Sequence, residues 1–475
     1  VEEADRKSNY GHFYSLTYEL LSIILTQRSR LWEAWEEESI TGKKCLMCGR
    51  RNAVIERDSN GKYLFWLQSS WKSADEIADE SKFILKERER LCAVCLVKRI
   101  YPQAFEEEYK INSSEFESVV DIAARNFIEE AKTDEDIKKM VKEDVELVYK
   151  HEWELEEKKK LVEKWRKTKD EKLEKLWETY GEPKKYYAIL MMDGDRIGKM
   201  LSGERLPNFG DFLHPAFKNK ISEWSKGNDL IKTKRILTPS HHIAISRAMK
   251  DFSVCVVPEI VRKYNGFLVY SGGDDILALF PTDKVLPAAK ELQEFFKKDF
   301  YKIEVNDKKR KVMGLGKFSS MSAGIVFAHY KYPLYDVIEK VRNAEQKAKT
   351  DYKRNAFYMK FIKRSGGILE AGGKWDFVND LVSITNAILD EKISHGFIYD
   401  FMEDIKILKE ENVLKSEVKR LLKRRKTEKV TDEEIGNILG KILCLIDKYK
   451  SNNLLGEDMG NALKILYDAY RGEER

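Results

Sequence analysis

The sequence predicts an α+β protein organised around one ferredoxin-like domain, and three observations support this prediction. Between residues 186 and 368, strand-like apolar segments alternate with helical segments in the order βα-ββ-αβ-α, which is typical of a split-βαβ sheet. On both sides of this region, apolar residues recur mainly at helical spacing. The 475 residues are also too many for a single hydrophobic core, so roughly two to four domains are expected.

These changes of pattern divide the chain into three predicted parts. Residues 1–180 form a cysteine-bearing helical domain, and residues 181–368 form the ferredoxin-like domain, with helices expected on one face of its sheet. Residues 369–475 read as a C-terminal helical bundle. Within this last part, Thr431 and Glu434 have the spacing of a helix capping box.

The charge balance and the hydropathy limit the class of protein. The chain has 86 Lys and Arg residues against 81 Asp and Glu, a net charge of +5. Such a small excess does not by itself indicate a nucleic-acid-binding protein, so any such surface must be local. The apolar run "LLSIIL" at residues 20–25 is too short to cross a bilayer. The sequence therefore predicts a soluble, cytoplasmic protein with no membrane partner.

Two acidic clusters follow strand-like segments and are expected to meet in space. Asp193 ends the run "AILMMD", and Asp274 and Asp275 occupy the tip of the hairpin "LVYSGGDDILALF". In a split-βαβ sheet the first strand lies beside the central hairpin. Close carboxylates repel each other and lose hydration, and a divalent cation removes both penalties. We expect two Mg²⁺ or Mn²⁺ ions there with nucleotide phosphates, although a polar turn with exposed carboxylates is the simpler alternative.

Several residues around these acids have the properties of a nucleotide-binding site. Gly272 and Gly273 lack a Cβ, so a phosphate or ribose can approach their backbone. The turn after the first strand can offer backbone amides to a triphosphate; it contains Gly194, Asp195, Arg196, Ile197 and Gly198. Lys347 and Lys349, on a later helix, can meet phosphate oxygens. Ser246, on the helix before the hairpin, can approach a base or ribose, but a structural or surface role is the simpler interpretation.

The cysteines are grouped in a way that favours metal over disulfides. Cys45 with Cys48 and Cys92 with Cys95 form two CxxC pairs, whose four thiolates suit a structural, tetrahedral zinc ion. The 43 residues between the pairs exceed the usual zinc-ribbon spacing, so reduced core cysteines or a redox pair stay open as alternatives. The two remaining cysteines lie in apolar segments and are expected in the core: Cys255 and Cys444.

Taken together, the motifs resemble a known family. Residues 186–368 are similar to the catalytic palm of the cyclase and GGDEF superfamily. In finer detail the chain resembles the large, Cas-ten-type subunit of type III-B (Cmr) CRISPR effector complexes, through "MMDGDRIGKMLSG", "LTPSHHIAISRAMKDF", "VYSGGDDILALFP", "SMSAGIVFAHYKYPL" and "AEQKAK". The resemblance extends to "CLMCGR" and "RLCAVCLVKR", and it is weakest over residues 105–180 and after residue 375.

The resemblance implies a nucleotidyltransferase that acts in antiviral defence. In that family the GGDD palm makes cyclic oligoadenylate from ATP when the complex binds target RNA. The implied partners are ATP, crRNA, target RNA and the other Cmr subunits. Asp193 matches the metal ligand of the first strand, Asp274 and Asp275 match the acidic pair of the hairpin, and Lys349 matches the lysine that contacts phosphate. The turn after the first strand matches a triphosphate-binding turn, in which Asp195 has no assigned role.

The sequence also departs from the family and leaves two alternatives. Members commonly begin with an HD nuclease domain and a first palm, and nothing in this sequence corresponds to either, so DNA cleavage is not expected. If a second palm normally completes the paired ATP site, the isolated chain is expected to synthesise poorly. A GGDEF-type cyclase using GTP is one alternative, although Asp275 and Ile276 stand where those enzymes have Glu-Phe. A nonenzymatic, nucleotide-binding scaffold of the ribonucleoprotein is the other.

Overall fold

The chain separates into two compact units, residues 21–116 and residues 1–20 with 117–475. The computed structural model describes Leu20, Leu21, Ile24 and residues 42–47, 51–58, 62–67, 70–73, 85, 89–100, 117–131, 134–155, 158–204, 206–224, 226–235, 237–305, 308–408, 410–454 and 456–472. Most of the helical segments expected before residue 116 therefore lie outside the described residues.

The smaller unit contains a short antiparallel sheet. Its strands are β1 (Ile55–Arg57), β2 (Tyr63–Leu67), β3 (Ser70–Ser73) and β4 (Arg90–Leu91), arranged in the order β3-β2-β1-β4. Residues 93–100 are helical. A small core contains the buried Ile55 and Leu91 together with three of the cysteines. Cys45 lies before the first strand of this sheet, and Cys92 and Cys95 directly follow its last strand.

The larger unit is built on a six-stranded sheet. The strands of this unit are β5 (Tyr186–Gly194), β6 (Phe267–Gly272), β7 (Asp275–Pro281), β8 (Phe300–Val305), β9 (Lys308–Met313), β10 (Met321–His329), β11 (Ala356–Ile362) and β12 (Ile368–Lys374). The sheet has the order β12-β11-β10-β5-β7-β6, and β8 and β9 form a separate hairpin. β10 and β11 run parallel, and the other neighbours run antiparallel. The predicted α+β, palm-like fold is confirmed.

The helices surround this sheet and continue to the C-terminus. They are α1 (Val119–Ala123), α2 (Arg125–Ala131), α3 (Glu135–Glu143), α4 (Lys159–Thr168), α5 (Glu174–Tyr180), α6 (Ile197–Leu201), α7 (Pro215–Ser222), α8 (Gly227–Lys232), α9 (Pro239–Asp251), α10 (Val257–Lys263), α11 (Val285–Phe296), α12 (Leu334–Thr350), α13 (Val378–Leu389), α14 (Gly396–Ile407), α15 (Glu411–Arg425), α16 (Asp432–Ser451) and α17 (Gly456–Arg471). A π-helical turn, Phe252–Val256, joins α9 to α10. In the part of the chain that is described, no helix has the length and apolar character needed to cross a bilayer.

Helices cover both faces of the central sheet, so the expectation of one covered face is wrong. In β5, Ala188 and Leu190 belong to a core shared with α10, α11 and the C-terminal helices. Tyr187 and Ile189 belong to a second core, shared with α12 and with residues of 119–177. A strand that is buried on both faces is apolar at every position. The continuous run "YYAILMM" is therefore the sequence signal for two covered faces.

α12 approaches β10 closely at a glycine. A Cβ at Gly324 would lie 2.4 Å from the backbone nitrogen of Glu345 and 2.4 Å from the carbonyl oxygen of Val341. A larger residue would push the helix away from the strand. This contact fixes the position of α12, which carries Glu345 and Lys349, relative to the end of the sheet.

Two features concern the predicted domain boundaries. Apolar side chains between residues 117 and 180, including Tyr149 and Trp177, are buried with residues of the central sheet and α12. The ring of Tyr149 stacks on Tyr330 with centroids 4.9 Å apart. β12, beyond residue 368, still belongs to the sheet. Residues 117–180 thus share a compact unit with the sheet, and the three-part division at 180 and 368 stays a prediction.

The C-terminal segment is helical, and its capping box is confirmed. The Thr431 hydroxyl oxygen accepts a hydrogen bond from the Glu434 amide, and the Glu434 carboxylate accepts one from the Thr431 amide. Cys255 packs against the hydrophobic core that includes Ala188 and Leu190. The core prediction for Cys444 is wrong, because this residue is exposed. It lies away from the buried face of α16, which includes Ile442.

Candidate functional site

The end of β5 lies directly beside the turn that joins β6 to β7. β5 pairs with β7 through Met192 and Ile276. A Cβ at Gly194 would lie 2.7 Å from Oδ2 of Asp274, and the Gly194 amide donates a hydrogen bond to that carboxylate. The predicted adjacency of the first strand and the hairpin is therefore present. It brings the acidic end of β5 and the acidic hairpin tip to the same end of the sheet.

At the hairpin tip the backbone favours glycine at Gly273, whereas a Cβ at Gly272 would meet the end of an exposed tyrosine side chain. Gly273 has a φ of +66°, in the left-handed region that glycine adopts without strain. A Cβ at Gly272 would lie 2.2 Å from the hydroxyl oxygen of Tyr270. Just before the tip, the Ser271 hydroxyl donates a hydrogen bond of 3.0 Å to the carbonyl oxygen of Ser253 in the π-helical turn. This bond ties the hairpin to the helix that packs beside it.

The two hairpin carboxylates are ionised only at an energetic cost. Burial raises the pKa of Asp274, and the neighbouring charge of Asp275 adds to the shift. Burial also raises the pKa of Asp275. A nearby divalent cation would reverse both shifts, because it favours the ionised carboxylates. Since carboxylate oxygens are preferred donors for Mg²⁺ and Mn²⁺, these residues fit such ions.

Lys349 is held between two carboxylates. Its ammonium contacts the Asp193 carboxylate and forms an ion pair of 2.6 Å with Glu345, one turn earlier on α12. Burial lowers the pKa of Lys349 to about 8, and the positive charge of Arg354 adds to the shift. The lysine singled out from the sequence is thus in direct contact with the first predicted metal ligand.

Glu345 is a site residue that the sequence analysis missed. Its side chain is 15% exposed. Burial raises the pKa of Glu345 to about 7, and the charges of Asp195 and Asp275 add to the shift. Its sequence signal is the spacing of four residues from Lys349, which is also common on solvated helices. Its place at the site follows from the packing of α12 on β10.

Arg354 is a second cation at the site, and the sequence analysis missed it as well. Its charge lowers the pKa of both Glu345 and Lys349, and its buried Nε has no hydrogen-bond partner among the described residues. Arg354 lies in a left-handed turn with Lys353 and Asn355, with φ angles of 65°, 54° and 47° respectively. A residue other than glycine in such a conformation costs about 1–3 kcal/mol. Contacts elsewhere must therefore hold the turn.

Asp195 provides one of these contacts. Its side chain is buried, and its carboxylate accepts hydrogen bonds of 2.7 Å from the hydroxyls of Ser320 and Ser322 and one of 2.9 Å from the Asn355 amide. Its own amide donates to the Ser320 carbonyl oxygen at 2.8 Å. Protein donors thus occupy both carboxylate oxygens of Asp195. The carboxylate of Asp193, in contrast, is half-exposed.

The remaining predicted nucleotide-binding residues lie at the start of α6 and on α9. Arg196 is exposed, with a φ of +59°, and it immediately precedes α6. In α6, Ile197 is buried and Gly198 is exposed, with none of the described atoms within 4 Å of a Cβ added at Gly198. Ser246 is exposed on α9, and Met249, one turn later, approaches the hairpin. Ile197 thus contributes to the core, while its neighbours leave the turn open to solvent.

Lys347 lies close to Lys349 in the sequence but has other partners. Its ammonium donates hydrogen bonds to the Glu370 carboxylate at 2.8 Å and to the Tyr358 hydroxyl at 3.2 Å. Residues two apart on a helix point in very different directions. Of the two lysines in "AEQKAKT", Lys349 is therefore the one in contact with the acidic site.

Three of the four predicted zinc ligands lie together in the smaller unit. The Sγ atoms of Cys45, Cys92 and Cys95 lie within 4.8 Å of one another, and all three side chains are buried. The Cys95 amide donates to the Cys92 sulfur at 3.4 Å. Burial raises the pKa of Cys95, and a bound cation would oppose this shift. The donor set fits zinc. Cys48 lies outside the described residues, so the fourth ligand stays a prediction.

Comparisons with known proteins point to the same region. Residues 186–358 match the family model described as Cas10/Cmr2, second palm domain. The CRISPR system Cmr subunit Cmr2 of Pyrococcus furiosus is 30% identical over 482 aligned residues, which cover 94% of this chain. Over the aligned region the chain is similar to Cmr2. A second Cmr2 relative, from Saccharolobus solfataricus, is 26% identical over 282 residues, which cover 50% of this chain. The alignments cover 51% and 26% of these Cmr2 relatives, so the chain spans about half of their length or less.

Solved structures with the same fold extend the similarity to almost the whole chain. Type III-B Cmr-beta in its apo state contains a chain that aligns with a TM-score of 0.60 and 18% identity. The alignment covers 97% of this chain and 61% of the Cmr-beta chain. Cmr-beta bound to cognate target RNA gives a TM-score of 0.61 and 17% identity, with coverages of 97% and 62%. At these identities the similarity concerns the fold.

Proposed function

We propose that this chain is a Cmr2-type subunit that binds ATP and divalent metal ions at Asp193, Asp274 and Asp275 and catalyses nucleotidyl transfer. The product would be cyclic oligoadenylate, made in antiviral defence when the assembled complex binds target RNA. The observation that carries the proposal is the junction of β5 with the Gly-Gly-Asp-Asp turn, where Gly194 lies against Asp274 and the preceding Asp193 contacts Lys349.

The proposed reaction joins two nucleotides. The 3′-oxygen of one nucleotide forms a bond to the α-phosphorus of ATP, the bond between the α-phosphorus and the bridging oxygen breaks, and pyrophosphate leaves with the electron pair. The three aspartates would hold Mg²⁺ or Mn²⁺, which lowers the pKa of the attacking hydroxyl and neutralises the leaving group. Lys349 and Arg354 supply positive charge to the phosphate oxygens.

The backbone near the carboxylates would accommodate the nucleotide. Gly272 and Gly273 remove side-chain bulk from the hairpin tip, and the open turn from Gly194 to Gly198 adjoins it. Ser246, exposed on α9, would lie near the base or ribose. These assignments follow from the motifs.

The proposed partners come from the relatives. The Pyrococcus furiosus relative is named a subunit of the Cmr system, and one Cmr-beta structure of the same fold is bound to cognate target RNA. We infer that this chain also works with other Cmr subunits, crRNA and target RNA, in the cytoplasm. We also infer that Cys45, Cys48, Cys92 and Cys95 hold a structural zinc ion.

Calorimetry of the full chain tests the nucleotide site. ATP and GTP are titrated with and without Mn²⁺ into the wild type, into Asp274→Asn/Asp275→Asn and into a control, Asp170→Asn/Glu171→Gln, which neutralises two exposed acids on a distant π-helical turn. We expect Mn²⁺-dependent binding that favours ATP, is lost in the hairpin variant and is kept in the control. Preference for GTP would favour a GGDEF-type cyclase, and metal-independent binding would favour a scaffold; either would overturn the proposal.

Product analysis tests the reaction itself. Complexes reconstituted with the wild type or with Asp274→Asn/Asp275→Asn are incubated with ATP and Mn²⁺, with and without target RNA, and the products are identified by mass spectrometry. We expect cyclic oligoadenylate from the wild type with target RNA and none from the variant. If the variant complex assembled normally and formed the same amount of product, the catalytic assignment would be wrong.

A further inference from the structure

The buried carboxylate of Asp195 connects three segments that are far apart in the sequence. Asp195 follows β5 directly, the hydroxyls of Ser320 and Ser322 lie at the start of β10, and the Asn355 amide lies 160 residues after Asp195. The distances are 2.7, 2.7 and 2.9 Å. Three good donors around one buried carboxylate form a rigid connection. Although Asp195 belongs to the acidic motif "DGD", its oxygens face protein donors.

The left-handed turn at residues 353–355 is also held from its other side. The Lys374 ammonium donates hydrogen bonds to the carbonyl oxygens of Tyr352 at 2.5 Å and Arg354 at 2.7 Å. The Gln293 amide donates to the Asn355 side-chain oxygen at 3.0 Å. These contacts, together with the bond to Asp195, hold a backbone conformation that lysine and arginine rarely adopt.

The residue that this turn presents to the site is Arg354. Arg354 immediately precedes Asn355, whose amide binds the Asp195 carboxylate at 2.9 Å, directly after the acidic end of β5. Its Nε is buried without a hydrogen-bond partner in the described part of the chain. A buried donor without a partner is costly, and a guanidinium suits two-point binding of a phosphate. The arrangement is therefore well suited to an incoming triphosphate.

We propose that Asp195 is a positioning residue, which binds no metal ion and instead fixes the left-handed turn so that the Arg354 guanidinium meets the phosphates of the incoming nucleotide. This inference rests on the proposed nucleotide site and adds to it the residue that orients its second cation. Asp193, two residues earlier, remains the metal ligand of this segment.

A double-mutant cycle on the full chain tests the proposal. Asp195→Asn keeps the size of the side chain but places an amide NH₂ against donors, so it loosens the turn, and Arg354→Met removes the guanidinium. Binding of the α,β-methylene analogue of ATP with Mn²⁺ is measured by calorimetry, and binding of Mn²⁺ alone is measured by electron paramagnetic resonance. We expect each variant to weaken nucleotide binding about tenfold, the double variant to lose no more than either alone, and Mn²⁺ binding to stay unchanged.

Two further variants keep the test decisive. Lys374→Met loosens the same turn without altering Asp195, and it should also weaken nucleotide binding while sparing Mn²⁺ binding, even if Asp195→Asn folds poorly. Lys353→Met is the matched control, because it removes an exposed cation from the same turn. It should leave nucleotide binding unchanged.

Hydrogen exchange separates this inference from the proposed function. In Asp195→Asn the Asn355 amide should exchange at least tenfold faster than in the wild type, with or without nucleotide. Three results would overturn the positioning role of Asp195. They are an unchanged exchange rate of the Asn355 amide in Asp195→Asn, losses of nucleotide affinity that multiply in the double variant, and weaker binding of Mn²⁺ alone by Asp195→Asn. A wild type that binds no nucleotide would overturn the proposed function together with the phosphate role of Arg354, while the exchange result would still report on the turn.

Discussion

The ammonium of Lys349 contacts Asp193 and lies 2.6 Å from Glu345, while Arg354 is close enough to lower the pKa of both Lys349 and Glu345. A divalent cation that binds Asp193 must therefore compete with Lys349 for the same carboxylate. Glu345 can keep the ammonium nearby when this happens, because the ion pair on α12 does not involve Asp193. The same lysine would then be available to a phosphate.

Substitution of Lys349 by methionine should change metal and nucleotide affinity in opposite directions. Without the competing ammonium, Asp193 should bind Mn²⁺ about three- to tenfold more tightly in the absence of nucleotide. Nucleotide binding with Mn²⁺ should weaken about tenfold or more, because a phosphate contact is lost. Electron paramagnetic resonance measures the first quantity and calorimetry the second.

The control for this experiment is Lys347→Met. Lys347 lies on the same helix, but its ammonium binds Glu370 and Tyr358. Both affinities should stay within a factor of two of the wild type. If Lys349→Met left the affinity for Mn²⁺ alone unchanged, the competition between the ammonium and the metal would be refuted.

Away from the site, a short 3₁₀ segment is attached to the end of β10 through one buried acid. Glu152, in Lys150–Glu154, accepts hydrogen bonds from Lys331 at 2.6 Å and Tyr330 at 3.3 Å. It also forms an ion pair with Lys158 at 3.0 Å. Burial alone would raise its pKa, but the hydrogen bonds from the two lysines outweigh it and lower the pKa of Glu152 to about 2.

Glu152→Gln should reduce the free energy of unfolding in a way that depends on pH. Because the pKa in the folded state lies below its usual value, Glu152 contributes stability that is full above about pH 5 and is lost as the pH falls towards 2. The variant should lose about 2–3 kcal/mol at pH 7 and less than half of that at pH 3. Urea unfolding at the two pH values measures this difference.

Glu154→Gln is the matched control in the same segment, since Glu154 is exposed. Its effect on the free energy of unfolding should be below about 0.5 kcal/mol at either pH. An equal loss at pH 7 and pH 3 for Glu152→Gln would show that the ionised carboxylate is not the source of the stability.

The two compact units of the molecule have separate hydrophobic cores. Among the described residues of the smaller unit, the buried core includes Cys45, Cys92 and Cys95. The larger unit buries two extensive clusters on the two faces of its sheet. Because the three cysteines are part of the smaller unit's core, a metal bound there would contribute to the stability of that unit.

Removal of zinc should therefore affect the smaller unit selectively. Cys92→Ser should lower the bound zinc from about one ion per chain to about zero, and it should lower the melting temperature of one calorimetric transition by about 10 °C or more. Treatment of the wild type with a chelator should have the same effect. Cys255→Ser, which alters a cysteine outside the cluster, should keep the zinc. Full zinc content in Cys92→Ser would exclude Cys92 as a ligand.

The fold could be predicted from the sequence where the order of the elements fixes which strands are neighbours, or where residue spacing defines a local motif. The adjacency of β5 and the hairpin follows from the order of the elements, and the capping box of Thr431 and Glu434 follows from spacing. The covered second face of the sheet was missed, although the continuous apolar run of β5 signals it. β11 and β12 were also not recognised as strands of the sheet.

The sequence by itself determined the acidic pair at the hairpin tip, the acid at the end of the first strand and the CxxC pairs, because each lies in a compact motif of specific residue types. It also singled out Lys349, through the resemblance of "AEQKAK", as the lysine expected to contact phosphate. The tertiary structure alone decided that Glu345 and Arg354 join the site and that Asp195 is occupied by protein donors. The physical reason is distance along the chain. Asp195 and Asn355 are 160 residues apart, and their contact depends on how α12 packs on β10 and how a left-handed turn is held.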